Sequence, residues 1–395
     1  MCLKRRLDAP GPEQRKTLSS ALKMVVRTSP VILPQVGIRR VSPRPPDLRQ
    51  AGYERLFDDR TLFYDSIRNH EGITLVGPPL LNLEDTLSQA TFNHGNGPMD
   101  AVNVLHLDRT TVVELKSSLP GLETLSLRSP QINISTPVMP NYSDIFSSRH
   151  VLITKSKNND LRWISDWVKF HVDTQGIDAV LLYDNGSNAY GPEDVLEAIA
   201  IPGIETAIVV DWPFKFGPQG GNWDGMRGMP WDSDFCEYGI MEHARRKFLN
   251  QAEGVLNADI DELVITEGGS TVFETLNEIG AGAISYTGRW IESVNQSGSG
   301  DSYADYFHYD ERRSPTTAKW AIAPKRISHA KQWKTHKISG VEMVKTTSTM
   351  HRHFMSINLN WKWQRTDAVL INKHHQIDEP LKFLLDHTFG PRNCS

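Results

Sequence analysis

The sequence predicts an α/β fold: a mostly parallel sheet flanked by helices, preceded by a small β-containing N-terminal extension. Three observations predict it. Between residues 150 and 258, four apolar strand-like runs alternate with three segments of helical character, the alternation a parallel sheet requires. From about 51 to 147, short apolar stretches are separated by turn residues. A hydrophobic content of 39% with 9% aromatics supplies a substantial core. At 395 residues the chain exceeds the usual single-domain size, so one large domain with an appendage, or two domains, is expected.

Residues 1–50 are rich in Arg, Lys and Pro, with Ser42-Pro43-Arg44-Pro45-Pro46 as punctuation, and read as an irregular tail. Its basic character leaves peripheral contact with anionic lipid as an option beside a plain solvated tail. In the region 51–147, Ile73 to Gly77, Ala101 to Leu105 and Thr110 to Leu115 read as short strands, with no catalytic cluster among them. The pattern changes at 148–266. Arg149 to Thr154 is a buried strand, and Leu161 to Gln175 a helix with Leu161, Trp163, Ile164, Trp167, Val168 and His171 at helical spacing. Gly176 is placed to end it. Ala179 to Tyr183 is the next strand, turned by Asp184-Asn185-Gly186-Ser187. Pro192 to Ala200 is a helix with Pro in its first turn. Thr206 to Val210 is the third strand. Asp232 to Gln251 is a long helix whose Glu242, His243, Arg245, Arg246 and Lys247 read as a solvated face. Gly254 to Ala258 is the fourth strand. Ligands of such sheets lie at the carboxyl ends of the strands, where Asp184 and Asp259 fall.

Composition excludes some roles. A net charge of -4 gives no support for a nucleic-acid surface. Cys2, Cys236 and Cys394 offer neither a disulfide framework nor a C-x-x-C site, so a reducing compartment is the simpler reading. No run of about 18 apolar residues predicts a membrane span, and no apolar segment of a secretory signal follows Met-Cys-Leu-Lys-Arg-Arg. These features point to the cytoplasm, with peripheral attachment at the inner face of the membrane as the variant.

The chemistry begins at Asp259-Ile260-Asp261. Two carboxylates delivered by one strand end can hold a divalent cation; hard oxygen ligands suit Mg²⁺ or Mn²⁺ and leave positions for phosphate oxygens. A departing diphosphate needs such an electrophilic partner. Around this pair the chain reads, in order, Lys155-Ser156-Lys157-Asn158, Trp163-Ile164-Ser165-Asp166-Trp167, Tyr183-Asp184-Asn185-Gly186-Ser187, Asp211-Trp212-Pro213 and Asp259-Ile260-Asp261-Glu262-Leu263. This order resembles the nucleotide-sugar half of glycosyltransferases of family 92 and their bacterial family-2-like relatives, over roughly residues 150–365. Asp166 stands where the family has Glu, Leu263 where it has Phe, and an extra Asn159 precedes the acidic residue after Lys-Asn.

The resemblance implies the GT-A fold and a hexosyltransferase of polysaccharide biosynthesis. Such an enzyme moves a hexose from a nucleoside diphosphate sugar, a UDP-sugar first, to a glycan or glycolipid acceptor, with inversion. It implies a donor-binding half at 148–266 and an acceptor side with a C-terminal helix at 267–395. Lys155, Asn158, Asp184, Asn185, Asp259 and, more weakly, Arg245 would contact the donor. Asp259 and Asp261 would hold Mn²⁺ or Mg²⁺, with His336 or His353 completing the shell. Lys319 to Pro324 resembles the family's K-x-hydrophobic-x-x-P. His351-Arg352-His353-Phe354 with Asn358, Trp361 and Lys362 is similar to another family segment, lacking its Tyr and its acidic residue. Glu292, Asp301 and Asp305 fall where a base for the acceptor hydroxyl belongs. Ser293 to Ser302 reads as a mobile loop over the donor or equally as a plain connector, and Trp223 and Trp231 are placed either to stack on sugar or to staple their own loop to the core. Two rivals stay open: a sugar nucleotidyltransferase, disfavoured because the loop after the first strand lacks glycine, and a non-catalytic glycan-binding or scaffold protein.

Overall fold

The computed structural model describes residues 21–95, 97–117, 123–218, 232–294, 302–359, 367 and 369–390. The expected alternation is present. After β1 (Leu22–Arg27) and the N-terminal region come β2 (His150–Ser156), α1 (Leu161–Gln175), β3 (Ala179–Asp184), α2 (Pro192–Ile199), β4 (Thr206–Asp211), α3 (Phe235–Ala244) and β5 (Gly254–Asn257). Asp160 caps α1 by accepting from the Arg162 amide at 2.8 Å, and Gly176 ends it in the left-handed region at φ 63°. The apolar stripe of α1, with Ile164, Trp167 and Val168, is buried against the sheet.

Four further strands follow: β6 (Glu262–Thr266), β7 (Ala283–Ile291), β8 (Thr316–Ile322) and β9 (Thr349–Phe354). The central sheet runs β1-β4-β3-β2-β5-β8-β7-β9-β6, with Val344–Lys345 added beside β7. From β1 to β5 every pairing is parallel. Strand order reverses at β2: the chain steps outward to β3 and β4, then returns to the other side of β2 to form β5. The carboxyl ends of β2 and β5 therefore diverge around a crevice, the place where ligands of open α/β sheets bind. Beyond β5 the sheet is mixed, since β8 is antiparallel to both neighbours and β6 is antiparallel to β9. Only residues 258–261 join β5 to β6, and the link is turned, with the Glu262 amide donating to Asp259 O at 3.0 Å. Three strands lie between β5 and β6 in sheet order, so the short link holds the start of β6 close to the carboxyl end of β5.

Two expectations are corrected. Residues 33–45 carry no helix or strand, but the segment before them is not irregular. Met24, Val25 and Val26 lie in β1, which pairs in parallel register from Leu22↔Thr206 to Arg27↔Asp211 and forms one edge of the central sheet. Residues 1–20 lie outside the described residues. The charged face of the long helix is not solvated either. Glu242, His243, Arg245 and Lys247 are buried, on α3 and on the π-helical turn Arg245–Leu249 that continues it.

Arg245 pairs with Glu242 one turn earlier and reaches His329 O, while His243, Arg246 and Lys247 are met by the N-terminal region. That region comprises two antiparallel four-stranded sheets, one with strands Asp65–Asn69, Gly72–Gly77, Thr110–Lys116 and Ala101–Leu107. Asp65, fully buried, accepts from Lys247 Nζ at 2.6 Å and from the Ser29 and Ser66 amides, and it lies 2.9 Å from His243 Nε2. His243 Nδ1 in turn lies 2.8 Å from the Tyr183 hydroxyl of β3. Arg246 reaches Glu114 at 3.0 Å, and Arg44 forks onto Asp232 at 2.7 and 2.9 Å. His243, Arg246 and Lys247 thus face carboxylates from another part of the chain, which local spacing does not reveal. Among the described residues no helix is long and apolar enough to cross a membrane.

Lys247→Met is expected to destabilise the fold by about 3–5 kcal/mol, because it strands Asp65 as an unpaired buried charge. Burial alone would raise the Asp65 carboxyl, but Lys247 and His243 hold it below its ordinary value. Its stabilisation is therefore full above about pH 4 and is lost as pH falls through the lowered value. Urea unfolding of both proteins from pH 7 to pH 3 checks this: the gap between them should close toward acid.

Candidate functional site

The crevice is lined by charge. Lys155, at the carboxyl end of β2, donates to Asp259 Oδ1 at 3.1 Å and pairs with Glu237 of α3 at 2.8 Å. Lys319, in β8 and almost fully buried, donates to Asp259 Oδ2 at 2.5 Å and lies 3.1 Å from Glu262 Oε2. The Asp259 amide donates to that same Glu262 oxygen at 2.9 Å. Asp261 Oδ2 lies 3.0 Å from His353 Nε2, and Glu262 Oε1 lies 3.4 Å from His353 Nδ1 and 3.5 Å from His351 Nε2. One donor atom each from Glu262, His351 and His353 falls within 4.8 Å of the other two.

The electrostatics follow from this packing. Burial would raise the Asp259 carboxyl, but Lys155 and Lys319 hold it well below the carboxylate range, and Lys319 and His351 do the same for Glu262. Burial opposes charge on His353, yet Asp261 and Glu262 push its pKa up to about 10. His351 is pulled down to about 4, chiefly by burial. Glu237, Asp259, Asp261 and Glu262 outnumber the two ammonium groups. Protonated His353 offsets part of the difference, so the cluster is short of positive charge. Carboxylate oxygen beside imidazole nitrogen fits Mn²⁺; Mg²⁺, which favours an all-oxygen shell with several waters, fits less well.

The structure brings Lys155, Asp259, Asp261 and His353 into one cluster. Other expected site residues are engaged elsewhere. Asp184 is buried and accepts from the Ser187 amide and hydroxyl at 3.1 and 2.6 Å, an Asx-turn. Asn185 donates to Trp212 O and Phe214 O, holding the loop after β4. Asn158, at φ 56°, accepts from the Asn188 and Ala189 amides at 2.8 and 3.2 Å. Arg245 forks onto Glu242 and donates to His329 O, so its guanidinium is buried structure rather than a phosphate contact. His336 Nδ1 sits 3.1 Å from Ala318 O, beside the cluster and within electrostatic reach of Lys319, Asp259 and Glu237, but it is not in the Glu262–His351–His353 group. Glu292 is buried against Arg313, and Asp305 accepts from the Ser302 amide at 2.9 Å in a helix cap. Asp301, Trp223, Trp231, Trp361, Lys362 and most of the Gly/Ser-rich loop lie outside the described residues.

Sequence reasoning missed Lys319, Glu237, Glu262 and His351 as site residues. Two signals were present. Glu262 follows the D-x-D pair directly, and His351 and His353 are two apart on one strand, which places both on the same face. Gly288 of β7 pairs with His351 across the sheet; a Cβ there would lie 2.2 Å from His351 Nε2 and 2.3 Å from Thr316 Oγ1.

No protein-family model matches the chain, and no curated protein matches it. Among solved structures it shows a likeness to the mannosyltransferase Ktr4p from S. cerevisiae. That likeness has 9% sequence identity, covers 36% of this chain and 39% of that one, and has a TM-score of 0.25. The match spans well under two thirds of that chain, and a superposition this loose carries no argument for fold or activity.

Gly288→Ala is expected to push His351 and Thr316 apart and to cost about 1–3 kcal/mol, the usual range for overpacking a filled site. Thermal unfolding and the imidazole resonances of His351 check this; an unchanged melting temperature with unmoved resonances would contradict the packing described.

Proposed function

We propose that the protein is a metal-dependent glycosyltransferase of GT-A type. It would transfer a hexose from a nucleoside diphosphate sugar, a UDP-sugar in the first instance, to a glycan or glycolipid acceptor. The observation that carries this reading is the concentration of two lysines, four carboxylates and two imidazoles at the mouth of β2 and β5. The ordered motif resemblance from Lys155 to Asp261 supports it.

In this reading Lys155 and Lys319 bind the diphosphate. Each directs its ammonium group at two carboxylates and exchanges part of that pairing for phosphate oxygens. The carboxylate–histidine group beside them holds the divalent cation, which when bound supplies charge neutralisation for the leaving diphosphate. The acceptor hydroxyl oxygen attacks the anomeric carbon, and the bond from that carbon to the diphosphate oxygen breaks. The electron pair leaves with the nucleotide, and the hydroxyl proton passes to a carboxylate. Trp290, half-buried with its ring centroid 4.3 Å from that of His353, lies beside this group, and in this reading the hexose packs against its indole. A second reading keeps its place on one observation. Asp259 has both oxygens paired with lysine, an arrangement that would equally suit a non-catalytic glycan-binding protein.

Incubation with UDP-hexoses and Mn²⁺ separates the readings. Release of UDP, raised by acceptor, is the expected result. Trp290→Ala should raise KM for the UDP-sugar about three- to tenfold, the scale of one lost stacking contact. Pyrophosphate release from UTP would assign a nucleotidyltransferase instead, and release of neither product from folded protein would favour the binding role.

A further inference from the structure

We infer that Glu262, His351 and His353 are the inner donor set of a transition-metal site, with Asp261 as the outer carboxylate that orients His353. This deepens the transferase reading by replacing the Asp259–Asp261 pair as the ligand set, and its test does not depend on catalysis.

The strands build the site. Glu262 pairs with His353 across β6 and β9, and His351 sits two residues earlier on the same face. Glu262 Oε2 is occupied by the Asp259 amide and Lys319, which leaves Oε1 facing both imidazoles at 3.4 and 3.5 Å. Those separations match the edge of a tetrahedron with metal bonds of about 2.1 Å, roughly 3.4 Å. Asp261 lies 3.0 Å from Nε2 of His353. When a metal ion displaces the Nδ1 proton of the imidazolium, the proton kept on Nε2 stays directed at the carboxylate, and the Nδ1 lone pair, which faces Glu262, takes the metal. A carboxylate holding the far nitrogen of a metal-binding imidazole is the common outer arrangement.

His351 is the weaker donor. Its Nε2 lies 2.6 Å from Thr316 Oγ1, and its Nδ1 is buried with no partner among the described residues. Binding through Nε2 turns the threonine hydroxyl away and puts the ring proton on Nδ1. Asp259 takes no part as a ligand, because both of its oxygens are paired with ammonium groups. Two nitrogens and one oxygen favour Mn²⁺, Co²⁺ or Zn²⁺ over Mg²⁺.

The test is equilibrium dialysis of the full chain, without nucleotide, against Zn²⁺, Mn²⁺ and Mg²⁺, followed by pulsed EPR of the Mn²⁺ form. One equivalent of Zn²⁺ or Mn²⁺, weaker Mg²⁺ and nitrogen couplings from two imidazoles are expected. His353→Ala should abolish stoichiometric binding, His351→Ala should weaken it at least tenfold, and Asp261→Asn should weaken it about 10–100-fold. Thr316→Val, which removes the competing hydroxyl, should bind as tightly as wild type or more so. Bound Mn²⁺ without nitrogen coupling would move the ion to the aspartates and overturn the assignment, as would no binding at millimolar metal. Nitrogen-coupled metal in a protein that turns over no sugar nucleotide would keep the site and remove only the transferase reading.

Discussion

Asp259 lies between the ammonium groups of Lys155 and Lys319, and the crevice depends on keeping those buried charges matched. Each lysine comes from a different strand, and Glu237 comes from α3, so the match holds only while all three elements keep their places. The position of α3 is itself tied to buried charge. Lys247 and His243 meet Asp65 of the N-terminal sheet, and Arg246 meets Glu114. Charges removed from water carry a large penalty unless paired and hydrogen-bonded, so these contacts constrain how the two regions dock. The N-terminal region therefore helps to hold α3, and with it Glu237, in place.

Much of the fold was legible in the chain. Gly176 after a helical stripe, Pro192 at a helix start and the apolar runs ending in Asp184 and Asp259 are local signals, and each stands in the structure where the pattern put it. Two features were not legible for one physical reason. Lys23 to Val26 is a short run that carries a lysine and sits in basic, proline-containing surroundings, yet an edge strand needs only one partner, and β4 supplies it. The charges on α3 look solvated because their partners, Asp65 and Glu114, lie more than a hundred residues away in sequence. Local periodicity reports which residues share a face; it does not report what that face meets.

The site shows the same division. Asp259–Asp261 stands out in the sequence by its position at a strand end and His353 by its place in a motif, and the structure brings them into one charged cluster. Lys319 and Glu262 lie in motif segments but carry no local signal of a site, because they meet only when β8 pairs with β5. Asp184 has a turn as its simpler reading, and its carboxylate makes that turn with Ser187, while the Asn185 amide holds the loop after β4 through Trp212 O and Phe214 O.

A crystal of the protein soaked with UDP and Mn²⁺, with data collected at the manganese absorption edge, tests the central claim most directly. The account predicts an anomalous peak between Glu262, His351 and His353, with the diphosphate on Lys155 and Lys319. A nucleotide and ion bound away from the β2–β5 crevice, or no nucleotide in it at saturating UDP, would contradict it.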